Sequence, residues 1–145
     1  MHFEGVFSAS APIDRVYGAI TDPEQVARCI PDLRSLEVKS ADEFDAVIGV
    51  RVAIVSGEIS MHFRTVERKP PSRVKLLGHG AGLGSAMDIE IAIDLEAGAG
   101  GETTMRWTAD ATISGKIASL GQGLLKSQAE KIVRQLFDCL RQKLE

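Results

Sequence analysis

The glycine-rich segment Gly78 to Gly84 is the most conspicuous candidate for chemistry in this sequence. It reads Gly-His-Gly-Ala-Gly-Leu-Gly, and glycine-rich loops can hold phosphate groups with their backbone N–H groups. The spacing is not that of the G-x-G-x-x-G motif, and the segment leads into a predicted strand rather than a helix. We therefore expect a flexible or bulged connection between strands. A second interpretation is that the segment borders the mouth of a cavity and moves to admit a ligand.

No other short motif predicts a catalytic residue. Gly115-Lys116-Ile117 lacks the upstream glycine and the Ser or Thr of a P-loop. Ser119 is preceded by Ile117 where a nucleophile elbow has glycine, and it lies inside a predicted helix. His62 and Arg64 alternate with larger apolar residues, which is typical of the solvated face of a strand. We predict no catalytic constellation.

The histidines and cysteines are few and scattered. His2, His62 and His79 form no H-x-x-x-H spacing with one another, and Cys29 and Cys139 form no C-x-x-C pair. We predict no metal site. Because the two cysteines are far apart and in different contexts, we expect both to be reduced and partly packed rather than joined in a disulfide framework.

Composition favours one soluble domain over residues 1–145. Hydrophobic residues make up 44% and charged residues 26% of the chain, which is ordinary globular usage. The longest apolar stretches fall far short of the roughly 18 residues of a spanning helix. The amino terminus has no basic segment leading into an apolar one, as a secretory signal would. We expect a cytoplasmic protein.

Charge is unevenly distributed along the chain. The net charge is -3 and aromatic residues are 5%, so the chain lacks the basic, stacking surface of a nucleic-acid-binding protein. From Lys116 onward, however, six lysines and arginines stand against three acidic residues. A solvated helix face is one interpretation, and attraction to an anionic membrane or an acidic partner is the other.

The first forty residues predict a strand followed by two short helices. Large apolar residues alternate through His2 to Ser8. A helix then follows Pro12, with apolar residues at helical spacing up to Ile20. Asp22 is placed to cap a second helix, with Gln25 at the position of a capping box, and Pro31 ends it.

The middle of the chain predicts an antiparallel meander with one solvated face. Apolar and polar residues alternate from Met87 to Leu95 and again from Met105 to Ile113. Together with the first strand, the breaks predict about seven strands. These breaks fall at Ala41-Asp42, Ser56-Gly57, Pro70 to Ser72, Gly78 to Gly84 and Gly98 to Gly101.

The last segment predicts one long helix from Lys116 to Leu144, about 43 Å in length at 1.5 Å per residue. Gly121 and Gly123 would each cost about 1 kcal/mol in its interior. One interpretation is that these small residues leave space, so that the first half roofs a cavity while Ile132, Leu136, Phe137 and Leu140 close the core. The other is that they fit against a bulky neighbour such as Trp107. Either way the architecture is α+β.

Several segments in order resemble the CoxG family of carbon monoxide dehydrogenase subunits, within the START-like, helix-grip superfamily. They are Met1 to Phe7, Ala11-Pro12 with Val16-Tyr17, Asp22-Pro23 followed by Cys29-Ile30-Pro31, Gly80 to Gly84, and Ser114 to Gly121. The resemblance covers essentially the whole chain. It implies a seven-stranded antiparallel sheet around a long carboxy-terminal helix, two short helices after the first strand, and an apolar cavity between sheet and helix.

The family resemblance also implies a function. It points to a non-enzymatic accessory protein of a molybdenum hydroxylase, which binds a quinone-like or lipid-like molecule, has no intrinsic cofactor, and contacts the membrane. Two features depart from the family. Asp32 stands where glycine usually follows the Cys-x-Pro step, and the sequence stops at Glu145 where many members continue into an anchor. Membrane contact is therefore expected to be peripheral.

We predict that the ligand contacts apolar residues from four regions. The predicted set is Cys29, Ile30 and Pro31 at one rim, Leu83 and Met87 near the glycines, Phe63, Ile91 and Trp107 on the sheet, and Ile117, Leu120, Gly121 and Leu124 on the helix. The sheet assignments rest on alternation, which a slip of one residue would reverse. Two alternatives stay open: a polyketide cyclase or aromatase-like enzyme, and an interaction protein with a filled core.

Overall fold

The fold is a seven-stranded antiparallel sheet with three helices on one face, as predicted. The computed structural model describes residues 1–145. The strands are β1 (His2–Ala9), β2 (Leu33–Ser40), β3 (Glu43–Val52), β4 (Val55–Lys69), β5 (Arg73–Gly82), β6 (Ser85–Ala97) and β7 (Thr103–Gly115), in the order β1-β7-β6-β5-β4-β3-β2. The helices are α1 (Ile13–Ile20), α2 (Pro23–Arg28) and α3 (Gln122–Leu144).

The two short helices begin where the sequence indicates. Pro12 is the residue before α1, and the Asp22 side chain accepts a hydrogen bond from the Glu24 amide at the start of α2. Gln25 differs from the capping-box prediction, because its side-chain amide donates to the Asp22 carboxylate at 3.0 Å instead of bonding the Asp22 backbone. The Asp22 carboxylate therefore caps α2 through one backbone amide and one side-chain amide.

The glycine-rich segment is mostly strand, not a connection. β5 continues to Gly82, and only Leu83 and Gly84 form the turn into β6. Gly78 and Gly80 are buried on the inner face, where a side chain on either residue would collide with neighbours from the adjacent strands. The break predicted at Ser56-Gly57 is also displaced, since the turn between β3 and β4 is at residues 53–54.

The terminal helix is shorter than predicted. A 3₁₀ turn spans Ala118–Leu120, Gly121 adopts φ 94°, and α3 begins at Gln122. A positive φ of this kind is accessible to glycine and strained for other residues. Gly121 therefore redirects the chain instead of lying in a helix interior, and the 23 residues of α3 extend about 35 Å.

The prediction that both cysteines are reduced is wrong. Cys29 and Cys139 form a disulfide, with their Cα atoms 5.5 Å apart and 110 residues between them in sequence. Neither is a free thiol. The expectation of reduced cysteines rests on their distance in sequence, which carries no information about which helices meet in space. The bond joins the end of α2 to α3.

Candidate functional site

The interior between sheet and helices has two unequal parts. In the first, which we call the closed half, the second half of α3 packs with α1 and Cys29 against β1, β5, β6 and β7 in a cluster of 18 buried residues. Phe137 lies at its centre, with its ring centroid 4.2 Å from that of Phe7 and 6.2 Å from that of Trp107. Trp107 in turn lies over Gly5, which has no side chain to obstruct it.

The second part, which we call the open half, lies between the first half of α3 and strands β3 to β7. Only four residues of its apolar cluster are buried: Ile59, Met61, Ile117 and Leu125. Half-buried apolar side chains surround them: Met1, Ile48, Val50, Val55, Phe63, Leu83, Met87, Ile89 and Ile113. The open half is thus an apolar surface that the helix covers incompletely.

The helix contributes little to the open half. Leu125 is the one fully buried side chain in the first half of α3, while Leu124 is 38% exposed and Ile132 is 45% exposed. The prediction that Ile132 helps to close the core is therefore wrong, because the helix turns that residue outward. Leu136, Phe137 and Leu140, predicted with it, do pack in the closed half.

Part of the inner face of β5 has no side chains, because it carries glycines. At Gly78, the space that a side chain would take is filled by Phe63 of β4 and Ile89 of β6, and at Gly80 it is filled by Met61. Beside Gly80 and Ile117 lies a narrow, mostly apolar crevice that has no room for a water-sized sphere. In this conformation, rotatable side chains from the neighbouring strands fill the space above the glycines on the inner face.

A third cluster lies under α2 at the edge of the sheet. Ala27 is fully buried against Phe44 and Ala46 of β3, and Ile30 packs with them. The Phe44 ring stacks on Phe63, with centroids 5.0 Å apart. Through Phe63 this cluster adjoins the open half.

The outer face of the sheet is polar. Each histidine bonds the aspartate directly opposite it on the neighbouring strand at 2.6 Å: His2 with Asp110, His62 with Asp45, and His79 with Asp88. An open groove of about 680 Å³ crosses β2 to β5 here. No group of three or more His, Cys, Asp or Glu residues is placed to hold a metal ion.

These hydrogen bonds shift two pKa values. The bond to Asp110, and then that to Glu4, raises the pKa of His2 above its usual value. The bond from His62, and after it the bond from Lys39, lowers the pKa of Asp45 despite partial desolvation. Both groups are on the outer face, whereas the open-half cluster consists of aliphatic, methionine and phenylalanine side chains.

Four residues of the predicted ligand set meet in the open half. These are Phe63, Leu83, Met87 and Ile117. Leu120 is half-buried, Gly121 is exposed just before α3, and Leu124 is 38% exposed. Ligand contact at these positions stays a prediction.

The remaining predicted residues lie elsewhere. Trp107 is buried in the closed half and Ile91 packs against the same cluster. Ile30 lies under α2, and Pro31 is half-buried in the turn that follows. Cys29 is 5% exposed and its sulfur is bonded to Cys139. Ligand contact at the rim formed by Cys29, Ile30 and Pro31 stays a prediction.

Sequence reasoning missed several residues of the open half. Ile48 follows Val47 in β3, so apolar residues point to both faces and alternation cannot identify the inner one. Leu125 follows Leu124, and the helix starts at Gln122 rather than Lys116, which changes which leucine faces the sheet. Met61 was detectable, because it alternates with polar Ser60 and His62.

The chain matches the family model for CoxG, a carbon monoxide dehydrogenase subunit, over residues 5–145. No curated protein matches it. Among solved structures, a conserved protein from Geobacillus kaustophilus is 26% identical, with a TM-score of 0.92 over 99% of this chain and 95% of that chain.

More distant structures share the fold. A START superfamily protein from Mycobacterium smegmatis is 8% identical, with a TM-score of 0.73 over 99% of this chain and 96% of the other. The Zhui aromatase/cyclase from Streptomyces sp. R1128 is 14% identical, with a TM-score of 0.70 over 99% of this chain and 93% of the other. At such identities the likeness shows the START-like fold alone.

Proposed function

We infer the function from the premise that the chain belongs to the CoxG family of carbon monoxide dehydrogenase subunits, which the match over residues 5–145 establishes. Its fold is START-like. We propose that it is a non-enzymatic accessory protein of a molybdenum hydroxylase of the carbon monoxide dehydrogenase type. In this proposal it binds a quinone-like or lipid-like molecule between the sheet and the first half of α3.

The observation that carries the proposal is the open half itself. Pockets for small molecules are mostly apolar and concave. Here the concave face of the sheet presents half-buried apolar side chains under a helix that buries only Leu125 among them. An apolar ligand would remove this surface from water, at about 25 cal/mol per Å².

The packing around the glycines supports the same site. Met61, Phe63 and Leu83 occupy space over Gly80, Gly78 and Gly57, and all three are rotatable side chains. Rotation of these side chains would open a cavity with no backbone rearrangement. The proposal therefore includes a cavity that forms as the ligand enters.

No observation favours the cyclase alternative. Acid–base catalysis requires a titratable group within hydrogen-bond reach of the substrate. The strand residues of the open-half cluster, from Ile48 and Ile59 to Ile89 and Ile113, are apolar. Ser85 lines the adjoining crevice, and its hydroxyl accepts a hydrogen bond from the Ile117 amide. We therefore do not extend the proposal to catalysis.

Peripheral contact with a membrane belongs to the proposal as well. No helix in the chain is both long enough and apolar enough to cross a bilayer. Ile54, at the tip of the turn between β3 and β4, is 97% exposed. Arg51 and Lys116 are exposed at the same end. An apolar tip flanked by cations suits an anionic bilayer surface.

Two substitutions on β3 test the ligand site. Ile48 faces the open half and Val47 faces the outer side, so Ile48→Trp fills the site while Val47→Trp is the matched control. We expect Ile48→Trp to weaken binding of a decyl-substituted benzoquinone by about tenfold or more, measured by fluorescence titration. Val47→Trp should leave it unchanged. Equal effects of the two variants would remove the site from the open half.

The accessory role needs a separate measurement. The tagged chain, purified from its native host, should retain the molybdopterin-containing subunit of the partner enzyme, identified by mass spectrometry. Native mass spectrometry of the same preparation should show a bound apolar molecule. A preparation that contains neither the partner subunit nor an apolar molecule would contradict the proposed function.

A further inference from the structure

The Cys29–Cys139 disulfide lies where the edge of the sheet meets α3. Cys29 is the residue that ends α2, and it is 5% exposed. Cys139 is half-buried on the flank of α3, one residue from Leu140 in the closed half. The bond therefore anchors α2 to the part of the helix that is already held by the core.

The other side of α2 is attached to the edge of the sheet. Ala27 and Ile30 pack on Phe44 and Ala46 of β3. β2, which follows α2 in the chain, is an edge strand and pairs only with β3. The helix α2 thus connects the β2–β3 hairpin with α3 across the side of the interior that adjoins the open half.

Helix α2 has little stability of its own. It contains six residues, and isolated helices shorter than about 12 residues are marginal in water. Its position depends on its packing against α1, β2 and β3 and on the disulfide. Removal of the covalent bond therefore leaves α2 attached to α3 by noncovalent contacts alone.

We propose that this disulfide is a redox-controlled clamp on the interior. When oxidised, it holds α2 against α3 and closes the side of the open half. A dithiol reductant opens it: one thiolate attacks a sulfur of the bond, and the second thiol resolves the mixed disulfide. The reductant is oxidised to its disulfide, and Cys29 and Cys139 take up two electrons and two protons as thiols.

Reduction has two consequences. α2 detaches from α3, which exposes its backbone amides, and apolar ligand enters and leaves the open half faster. The second consequence rests on the proposed function, whereas the first does not. Hydrogen exchange and ligand release therefore test different parts of the idea.

Hydrogen exchange tests the clamp without any ligand. The amides of Val26, Cys29 and Ile30 are bonded within α2 and its last turn, and we expect them to exchange about tenfold faster after dithiothreitol treatment of the wild-type chain. The double variant Cys29→Ser, Cys139→Ser should exchange fast with or without dithiothreitol. The amides of β7 in the closed half should not change. Unchanged exchange in α2 would overturn the clamp, as would free thiols in protein purified without reductant.

Ligand release completes the test. We expect a decyl-substituted benzoquinone to leave the reduced protein several-fold faster than the oxidised one in stopped-flow fluorescence. Equal release rates from a protein that does bind the quinone would overturn gating by the clamp and leave the proposed function intact. Absence of quinone binding in both states, with accelerated exchange in α2, would count against the proposed function and support the clamp.

Discussion

The second half of α3 packs into a filled core, whereas its first half covers an apolar sheet surface that it does not fill. Phe137 and Leu140 are buried among aromatic and aliphatic neighbours. Leu124, in the first half, is 38% exposed, and only Leu125 is fully buried there. One helix therefore closes the core at one end and covers an apolar surface incompletely at the other.

The difference arises from the residues that face the helix. Opposite its second half, β1, β6 and β7 present large side chains such as Trp107 and Ile93, together with α1. Opposite its first half, β5 presents glycines, and the side chains of β4 and β6 lean over them. Close packing makes a core rigid, whereas over the glycines of β5 the space is taken by side chains of the neighbouring strands.

The largest effect that distinguishes the halves is expected from truncation of the helix side chains. Phe137→Ala should lower the free energy of unfolding by about 3–5 kcal/mol, because it empties the centre of the closed half. Leu124→Ala should change it by less than about 0.5 kcal/mol. Urea denaturation followed by circular dichroism measures both. Comparable losses in the two variants would show that the halves do not differ in packing.

An intermediate effect is expected at the two glycines where α3 begins. Gly123 lies in the helix with no atom near an added side chain, so Gly123→Ala should stabilise the protein by up to about 1 kcal/mol. Gly121 has φ 94°, and Gly121→Ala should destabilise it by about 1–2 kcal/mol. Thermal melting compares the pair. A gain from both substitutions would mean that α3 continues through Gly121.

The smallest effect is a pH dependence at the β1–β7 edge beside the closed half. The folded state raises the pKa of His2 through Asp110 and Glu4. The interaction therefore stabilises the fold fully below the ordinary histidine pKa of about 6.5. This stabilisation is lost as the pH rises through the higher pKa of the folded state. NMR titration of the imidazole should show the raised pKa.

The control for that titration removes the first partner. Asp110→Asn should move the pKa of His2 back toward its usual value and reduce the pH dependence of unfolding. A histidine that titrates identically in both proteins would contradict the assignment. Because His2 is largely exposed, salt should weaken the effect.

Much of the fold was predictable, because its signals are local. Alternation in β6 and β7 indicated both strands and their inner faces, and Asp22 indicated the start of α2. The family resemblance and the helix-grip fold predicted from it are confirmed by the family match and by the START-like structures. Phe63, Met87 and Ile117 do meet in the open half, although no observation tests their contact with a ligand.

The predictions that were wrong lie where a local sequence pattern is compatible with two structures. Paired leucines at 124 and 125 satisfy a helical period in either phase, and the left-handed Gly121 selects the phase that buries Leu125. The glycines from 78 to 82 are compatible with a loop or with a strand, and the choice depends on whether Phe63, Met61 and Ile89 fill the space above them. Such choices require the neighbouring strands.

The sequence by itself indicated about seven strands, the family, and the apolar character of the inner face. Periodicity and local capping are properties of consecutive residues, so they are visible in the chain. Only the tertiary structure decided that Cys29 meets Cys139 and that the two halves of α3 differ in packing. Those outcomes depend on side chains that are distant in sequence and adjacent in space. No local sequence pattern specifies which distant residues become neighbours.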